Sequence, residues 1–330
     1  MAVTPKNSRN NKLKTHLAIL QARAIHAKTS EDISVISKLI QEYSAKHQYS
    51  HNNSLLWFSL AIAGLVGGLS YWQQLHITQD TRFYMQVLSA ITGCLTLILF
   101  YMRYAKIKRV GDAVYIRSVA INAGVVRDYQ FDGRSYWKQL SGMFSLFNTG
   151  DESQTITTRY LGGMPGDEHQ GPTPYTLFEF KYVRVTRSTN SKGGTRTSRS
   201  THYKYGMLVQ FSDFNFLSIN VNRFPNKWDS SSRAFNKRFK VRCASEIQAA
   251  KFFDPKAVLA FVDEFSFIKS MDVTPSSVVC FELPKEIFPS KVKTPSLANT
   301  TTFINSLETP HKLPALEQAQ KLIAFINQNK

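Results

Sequence analysis

The chain has 330 residues and a formal net charge of +18, from 41 lysines and arginines against 23 aspartates and glutamates. Its three cysteines are far apart and form no CxxC pair, which excludes a disulfide framework and a cysteine zinc cluster. The charge is uneven, because residues 181–243 alone hold 14 basic and 2 acidic side chains. This composition favours a basic protein of a reducing compartment whose partner or contact surface is negatively charged.

Residues 1–53 are predicted to form a tail with two amphipathic helices. Thr29 followed by Asp32 is typical of a helix N-cap. Apolar side chains recur at helical spacing on both sides of this cap, at Leu13, Leu17, Leu20 and Ala24 and then at Ile33, Ile36, Leu39, Ile40 and Tyr43. The apolar stripe of the second helix must be buried against another surface. Three surfaces could bury it: the chain's own soluble domain, a second subunit, or the membrane interface.

Two uncharged apolar runs follow, at residues 55–72 and 85–102. At a rise of about 1.5 Å per residue, each run is roughly 27 Å long as a helix, which is close to the thickness of the hydrocarbon core of a bilayer. A helix of a soluble protein usually keeps a polar stripe, and neither run has one. The sequence therefore predicts a transmembrane hairpin over residues 54–102, with these two runs as its spans.

Basic side chains flanking the runs predict the orientation. The tail holds eight lysines and arginines against three acidic residues, whereas the connector 73–84 carries only Asp80 and Arg82. The second run is followed by a basic juxtamembrane flank, formed by Arg103, Lys106, Lys108 and Arg109. Because cytoplasmic flanks collect positive charge, both termini are expected in the cytoplasm, and the lipid bilayer is the first expected partner.

Small residues in the spans predict where the two helices pack. Gly64 and Gly68 form one small-xxx-small step, and Ser89 and Gly93 form a second. Helices in lipid approach most closely where side chains are small, so these four residues are expected at the helix contact. The same glycines would also suit self-association, or they could simply be tolerated in lipid.

The remainder predicts an α+β fold: a juxtamembrane helix over 103–128, then a cytoplasmic, mainly antiparallel sheet domain over 129–330 with C-terminal helices. Alternating β-branched and aromatic residues predict strands, at 154–160, 175–186, 203–211, 214–221, 239–243 and 276–283. Ser212 and Asp213 are expected at the turn of a hairpin. Helical periodicity predicts helices at 244–253, 255–270 and 315–328, and the Pro, Ser and Thr content of 290–314 predicts irregular structure.

Residues 187–201, RSTNSKGGTRTSRST, have no aliphatic or aromatic side chain and are predicted to form a mobile basic loop. The cations in and beside this loop are candidates for contact with anionic lipid headgroups or an acidic partner: Arg184, Arg187, Lys192, Arg196, Arg199 and Lys204. A merely solvated basic face is the plainer alternative. The interleaved aromatic residues would also suit nucleic acid, but no nucleic-acid-binding motif accompanies them, which weighs against that partner.

Catalytic patterns are almost entirely missing from the sequence. It contains no GxxxxGK[ST], HExxH, GxSxG or GxGxxG, and its histidines show no ligand spacing. Asp167, Glu168 and His169 would suit a metal or acid–base chemistry, but the surrounding glycines and proline are more typical of a solvated turn. The sequence therefore predicts no catalytic residue, no metal site and no cofactor.

Three segments resemble a known family. They are Ser141 to Phe144 (SGMF), 235–241 (FNKRFKV) and 245–255 (SEIQAAKFFDP), of which the last two are the most specific. Together with the predicted hairpin, they make residues 50–285 resemble the bacterial two-span membrane proteins grouped as domain of unknown function family 3137. The resemblance implies a location in the bacterial inner membrane and no assigned activity, while the tail and the basic insertion at 187–201 are atypical of the family.

Two classes of function remain. One is a non-enzymatic scaffold or interaction module whose basic cytoplasmic domain lies near anionic headgroups and which contacts another membrane protein or a second copy of itself. The alternative is a membrane-tethered enzyme that acts on an anionic, phosphate-bearing substrate. An enzyme requires convergent polar groups in a pocket, so a sheet packed on both faces with apolar side chains would count against it.

Overall fold

A computed structural model of the chain describes residues 9–71, 78–164, 172–189, 195–284, 287, 294–309 and 313–329. It divides the chain into two units. The first consists of Met1–Val119 and Val292–Thr309, and the second of Ala120–Lys291 and Pro310–Lys330.

The first unit begins with the two expected amphipathic helices, α1 (Arg9–His26) and α2 (Ser30–Lys46). Thr29 and Asp32 form a capping box at the start of α2: the Thr29 hydroxyl accepts from the Asp32 amide at 3.3 Å, and the Asp32 carboxylate accepts from the Thr29 amide at 3.0 Å. Backbone hydrogen bonds from Lys28 and Thr29 lower the pKa of Asp32. The carboxylate thus stays ionised next to the positive end of the helix.

The apolar stripe of α2 is covered within the first unit. Ile33, Ile36 and Ile40 are buried, and α2 packs against α1 and against a later helix, α9 (Thr300–Glu308). This helix lies inside the segment 290–314 that was expected to be irregular. It forms because the Asn299 side chain accepts from the Thr302 amide at the N-terminus, while Phe303 and Leu307 are buried on one face.

The two apolar runs form α3 (Ser54–Tyr71) and the first half of α4 (Gln79–Asn122). By length and composition, both helices are long and apolar enough to cross a membrane. α4 continues without a break past Met102 for a further 20 residues, or about 30 Å. It ends at Asn122 rather than at 128, because Gly124 adopts a left-handed conformation (φ +74°) and its amide donates to Ile121 O, after which the chain becomes a strand.

Hydrogen bonds fix the C-terminal half of α4 to the other helices of the first unit. The buried Arg117 donates from Nε to Ala27 O at 2.7 Å, immediately after the C-terminus of α1, where a cation is favoured. Ser118 donates to Leu307 O in the last turn of α9 at 2.5 Å. The tail helices and α4 therefore belong to one packed unit.

The segment between α2 and α3 is held at the start of α1. Arg9 Nη2 donates to Ser50 Oγ at 2.7 Å, and the Asn52 amide donates to Asn10 Oδ1 at 2.7 Å. The His16 ring stacks on Tyr43 with 4.1 Å between centroids, and its Nε2 lies 2.7 Å from the Tyr49 hydroxyl. Burial raises the pKa of Tyr49 and lowers that of His16.

The second unit is built on one antiparallel sheet of nine described strands in the order β1-β2-β3-β4-β9-β8-β5-β7-β6. Each neighbouring pair is antiparallel, as the sequence predicted. The strands are β1 (Val125–Asp128), β2 (Glu152–Met164), β3 (Thr173–Thr189), β4 (Thr195–Gln210), β5 (Leu217–Ile219), β6 (Asn226–Trp228), β7 (Val241–Cys243), β8 (Ser270–Val273) and β9 (Val278–Leu283).

Both faces of the sheet are covered by apolar packing. The remaining described helices are α5 (Gly133–Met143), a 3₁₀ helix (Ser145–Phe147), α6 (Arg233–Arg238), α7 (Glu246–Phe252), α8 (Pro255–Asp263) and α10 (Pro314–Asn329). On one face, rings from α6, α7 and α8 surround Phe261, including Phe235, Phe252 and Phe253. On the other, Phe144 and Phe147 pack on Phe178 and Phe180 of β3. This is the arrangement that counts against an enzyme.

Two local predictions differ from the structure. The hairpin expected around Ser212 and Asp213 does not form, although Asp213 does adopt a turn conformation (φ +58°). β4 pairs with β9, whereas β5 pairs with β7 and β8. The strands on either side of this turn therefore do not pair with each other. The helix expected over 255–270 ends at Asp263, because residues 264–269 turn the chain into β8.

Phe261→Ala should destabilise the second unit by about 3–5 kcal/mol, because it removes a fully buried ring from the centre of an aromatic cluster. Chemical denaturation of the full chain in neutral detergent, followed by near-ultraviolet circular dichroism, measures this. Leu259→Ala is the matched control on the same helix, since Leu259 is 61% exposed. Equal losses in the two variants would contradict the described packing of α8.

The first unit should lose stability as the pH falls from about 7 to about 5. Because burial lowers the pKa of His16 from its usual 6.5, the unfolded chain takes up more of a proton at this residue over this range than the folded chain does. Thermal unfolding in neutral detergent at the two pH values tests this. His16→Phe keeps a ring for stacking on Tyr43 but cannot titrate, so its loss between the two pH values should be smaller than that of the unchanged chain.

Candidate functional site

The contact between α3 and α4 is formed by different small residues from those expected. Ser89 donates to Ala63 O at 2.6 Å, and a Cβ placed on Gly67 would lie 2.7 Å from Ser89 Oγ. By contrast, a Cβ at Gly64, Gly68 or Gly93 would meet nothing within 4 Å. Of the four predicted packing residues, only Ser89 lies at the contact, because small-residue spacing identifies a helix face without fixing which face meets the partner.

Polar and aromatic pairs complete this contact. Ser59 Oγ and Thr96 Oγ1 are 3.0 Å apart, and the Trp57 and Phe100 rings are 5.1 Å apart. The hydroxyl side chains within the uncharged runs are the sequence signal that could have predicted the contact, since polar side chains in apolar surroundings form hydrogen bonds across helices.

Much of the remaining surface of α3 and α4 is apolar and uncovered. Leu55 is 80% exposed, Phe58 and Leu65 are 66% exposed, and Leu88 is 62% exposed. In the most apolar window of each helix, only 17% of α3 and 6% of α4 is buried. A contiguous apolar surface of this extent marks an interaction with protein or with lipid.

The four residues of the basic flank have different environments on α4. Arg103 is half-buried and donates from Nη1 to Asn53 Oδ1 at 2.8 Å and to Asn52 O at 3.3 Å, which ties α4 to the chain entering α3. Lys108 lines a cavity of the first unit, whereas Lys106 and Arg109 are exposed and do not line it.

The expected mobile loop at 187–201 is instead strand wherever the structure describes it. β3 and β4 pair in continuous register from Tyr175↔Val209 to Thr189↔Thr195. β2 pairs with β3 only as far as Val183, and β9 pairs with β4 only from Tyr205. Residues 184–189 and 195–200 therefore pair only with each other among the described strands and extend beyond the sheet as a two-stranded ribbon. Cross-strand pairs of threonine and serine, Thr186 with Ser198 and Thr189 with Thr195, contribute to it.

The arginines of the ribbon divide between its two faces. Residues directly opposite in an antiparallel pair share a face. Arg184 opposite Ser200 and Arg196 opposite Ser188 lie on one face, whereas Arg187 opposite Thr197 and Arg199 opposite Val185 lie on the other. The candidate residues thus form two pairs rather than one patch.

Only some of the candidate cations are available to a partner. Arg199 forms an ion pair with Glu152 at 3.0 Å, and Arg184 lies over the Tyr182 ring at 5.8 Å. Lys204 donates to Thr149 Oγ1 at 3.2 Å and lies 4.0 Å from Glu282. Arg187 and Arg196 are exposed, and Lys192 lies outside the described residues. Arg187 and Arg196 are therefore the best-placed cations for an external contact.

The second unit also contains a small polar cavity of about 280 Å³. Asp272, 2% exposed, accepts from Arg223 Nε at 2.8 Å and from the Ser145 amide at 3.2 Å. Burial raises the pKa of the Cys280 thiol well above its ordinary value, so this thiol is a poor nucleophile. The carboxylate is already paired and joins the 3₁₀ helix to β8, which is a structural role.

Asp272 was missed by sequence reasoning, although a single carboxylate inside an otherwise apolar strand was a usable signal. Within the described part of the chain, no three His, Cys, Asp or Glu side chains come close enough to hold a metal ion. Asp167, Glu168 and His169 lie outside the described residues.

Comparisons with protein-family models, with curated proteins and with solved structures found no match to this chain. The resemblance to family 3137 therefore stays a prediction.

Gly67→Leu should weaken the pairing of α3 and α4 by about 1–3 kcal/mol, because the added side chain overlaps Ser89. Gly64→Leu adds the same volume where a Cβ meets open space, so it should have little effect. Thermal unfolding of the two variants in neutral detergent compares them. A larger loss in the Gly64 variant would place the helix contact on the face originally expected.

Proposed function

We propose that this protein is a non-enzymatic interaction module of the bacterial inner membrane, anchored by α3 and α4 with both termini in the cytoplasm. In this proposal, the basic ribbon contacts anionic lipid headgroups. The observation that carries the proposal is the uncovered apolar surface of α3 and α4, which a soluble protein would have to bury.

Lipid is the cover that suits this surface best. α3 contains no charged residue, and neither does the run 85–102 of α4. Each is about 27 Å long, so a bilayer can solvate it from end to end. Three hydroxyls within the helices are already bonded to each other or to backbone, as Ser59 with Thr96 and Ser89 with Ala63 show.

The orientation rests on the charges at the ends of these helices. Arg103, Lys106, Lys108 and Arg109 follow the second run, and the basic tail precedes the first. Positive flanks are retained in the cytoplasm, which would leave the connector 73–84 on the other side.

A headgroup layer suits the ribbon better than a flat protein surface does. Arginines lie on both faces of the ribbon, so a single flat partner would neutralise only one pair at a time. A layer of lipid headgroups has a finite thickness into which the ribbon can insert, so headgroups can contact both of its faces. Each cation near an anionic leaflet contributes about 1 kcal/mol, and the attraction decays over about 8 Å at physiological salt.

The enzyme alternative has less support. It needs polar groups that converge and remain available to a substrate. In the polar cavity around Asp272, the carboxylate is bonded to Arg223 and Ser145, and the nearby Cys280 thiol is held protonated.

The ribbon should exchange its amide hydrogens more slowly in nanodiscs that contain phosphatidylglycerol than in nanodiscs of phosphatidylcholine alone. Hydrogen-exchange mass spectrometry of the full chain measures this. Arg187→Gln with Arg196→Gln should abolish most of the difference, since about 1 kcal/mol is lost with each cation. Lys251→Gln with Lys256→Gln is the control, because it removes the same charge from exposed positions outside the ribbon.

Equal exchange in both kinds of nanodisc would overturn the headgroup contact, and protection that requires an added acidic protein would identify a protein partner instead. Recovery of the full chain in the soluble fraction after cell breakage would overturn the membrane anchor itself.

A further inference from the structure

The first unit contains a cavity of about 700 Å³ beside the cytoplasmic end of the second apolar run. Three segments line it: residues 49–53 before α3, the stretch of α4 from Phe100 to Asp112, and residues 294–298 before α9. A volume of this size is typical of a ligand site rather than of a packing defect.

One face of α4 forms the longest wall of the cavity. Phe100, Arg103, Ile107 and Gly111 recur at intervals of three and four residues, so their side chains line the same side of the helix. Gly111 lets the opposite wall approach, because a Cβ there would lie only 3.3 Å from Leu297 Cδ1. The α4 wall is thus apolar at Phe100 and Ile107, and the opposite wall is apolar at Leu297.

His51 lines this cavity and has two polar atoms without a described partner. Both of its ring nitrogens are buried, and neither has a hydrogen-bond partner among the described residues. Buried polar atoms are nearly always paired, and an orphaned pair of nitrogens indicates a missing ligand or water. Burial first, and then the nearby charges of Arg103 and Lys106, lower the pKa of His51, so the neutral ring offers one donor and one acceptor.

The charged groups lining the cavity favour an anion. Arg103 and Lys108 are cationic and Asp112 is the one acidic group that lines it among the described residues. Among the described residues, Arg103 bonds only Asn52 and Asn53, both through Nη1, so its other guanidinium nitrogens can bond a ligand oxygen. A ligand that fits must combine a negatively charged, hydrogen-bonding group with an apolar portion.

We propose that this cavity binds the headgroup of one anionic phospholipid of the cytoplasmic leaflet, with His51 and Arg103 contacting oxygen atoms of its phosphate. The assignment rests on the proposed membrane anchor, which places Phe100 and Tyr101 at the depth where headgroups meet acyl chains. The apolar wall then lies beside the first carbons of the acyl chains, and the cations lie beside the phosphate.

Native mass spectrometry of the full chain, released from neutral detergent micelles with either phosphatidylglycerol or phosphatidylcholine, measures the preference for anionic lipid. The unchanged chain should retain phosphatidylglycerol preferentially. Arg103→Gln should reduce that preference about fivefold, which corresponds to about 1 kcal/mol for one cation. Asp112→Asn should increase it, because this change removes the only described carboxylate that faces the ligand.

Arg109→Gln is the matched control, because Arg109 is an exposed arginine of the same helix that does not line the cavity. Nonspecific attraction to a positive flank would make the two arginine variants equal, and that result would overturn the proposal. Inorganic phosphate that displaces the lipid at comparable concentration would also overturn it, since the cavity would then bind a soluble ion.

His51→Phe keeps a buried ring and removes both orphaned nitrogens. The variant should therefore unfold at a higher temperature than the unchanged chain without lipid, but gain less on addition of phosphatidylglycerol. If the chain stays in the membrane fraction but shows no lipid preference, the cavity proposal is contradicted while the proposed membrane anchor is not. Loss of the chain from the membrane fraction would instead contradict the anchor.

Discussion

The uncovered apolar surface of α3 and α4 is the constraint on which the remaining structure depends. Only 17% and 6% of the most apolar windows of these helices are buried, so little of the protein itself covers them. The described contacts between the two helices are correspondingly few: Gly67 against Ser89, the Ser59–Thr96 pair and the Trp57–Phe100 rings. Hydrogen bonds that fix α4 lie beyond its apolar run, where Arg103, Arg117 and Ser118 bond α4 to the segments around it.

In the second unit, by contrast, the apolar side chains are covered, because apolar packing lies on both faces of the sheet. The ribbon is the part that this packing leaves uncovered, and no further described strand pairs with its outer edges beyond Val183 of β3 and before Tyr205 of β4. Such edges promote pairing between chains unless charge opposes it. Arginines on both faces oppose such pairing, and in the proposed function the same arginines contact the anionic headgroups.

The sequence predicted those elements whose signal is local. The capping box at Thr29, the amphipathic tail and the unbroken continuation of α4 all follow from spacing within one helix, and the structure has each of them. The antiparallel α+β class was also predictable, from alternation within single strands. Gly67 was not, because which face of a helix meets its partner depends on the other helix. The ribbon was missed because a pattern without aliphatic residues was taken as a loop, although serine, threonine and arginine can pair across strands.

The junction before α3 links the attachment of the tail to the cavity beside it. Arg103 bonds Asn52 and Asn53 and also lines the cavity, while Asn52 is itself bonded to Asn10 of α1. His51 lies between these residues with both ring nitrogens unpaired among the described atoms. Because a ligand that binds only the folded junction stabilises it by mass action, an anion held there would also strengthen the attachment of α1 to α4. The unpaired nitrogens thus destabilise the junction, and a ligand bound in the cavity would remove this destabilisation.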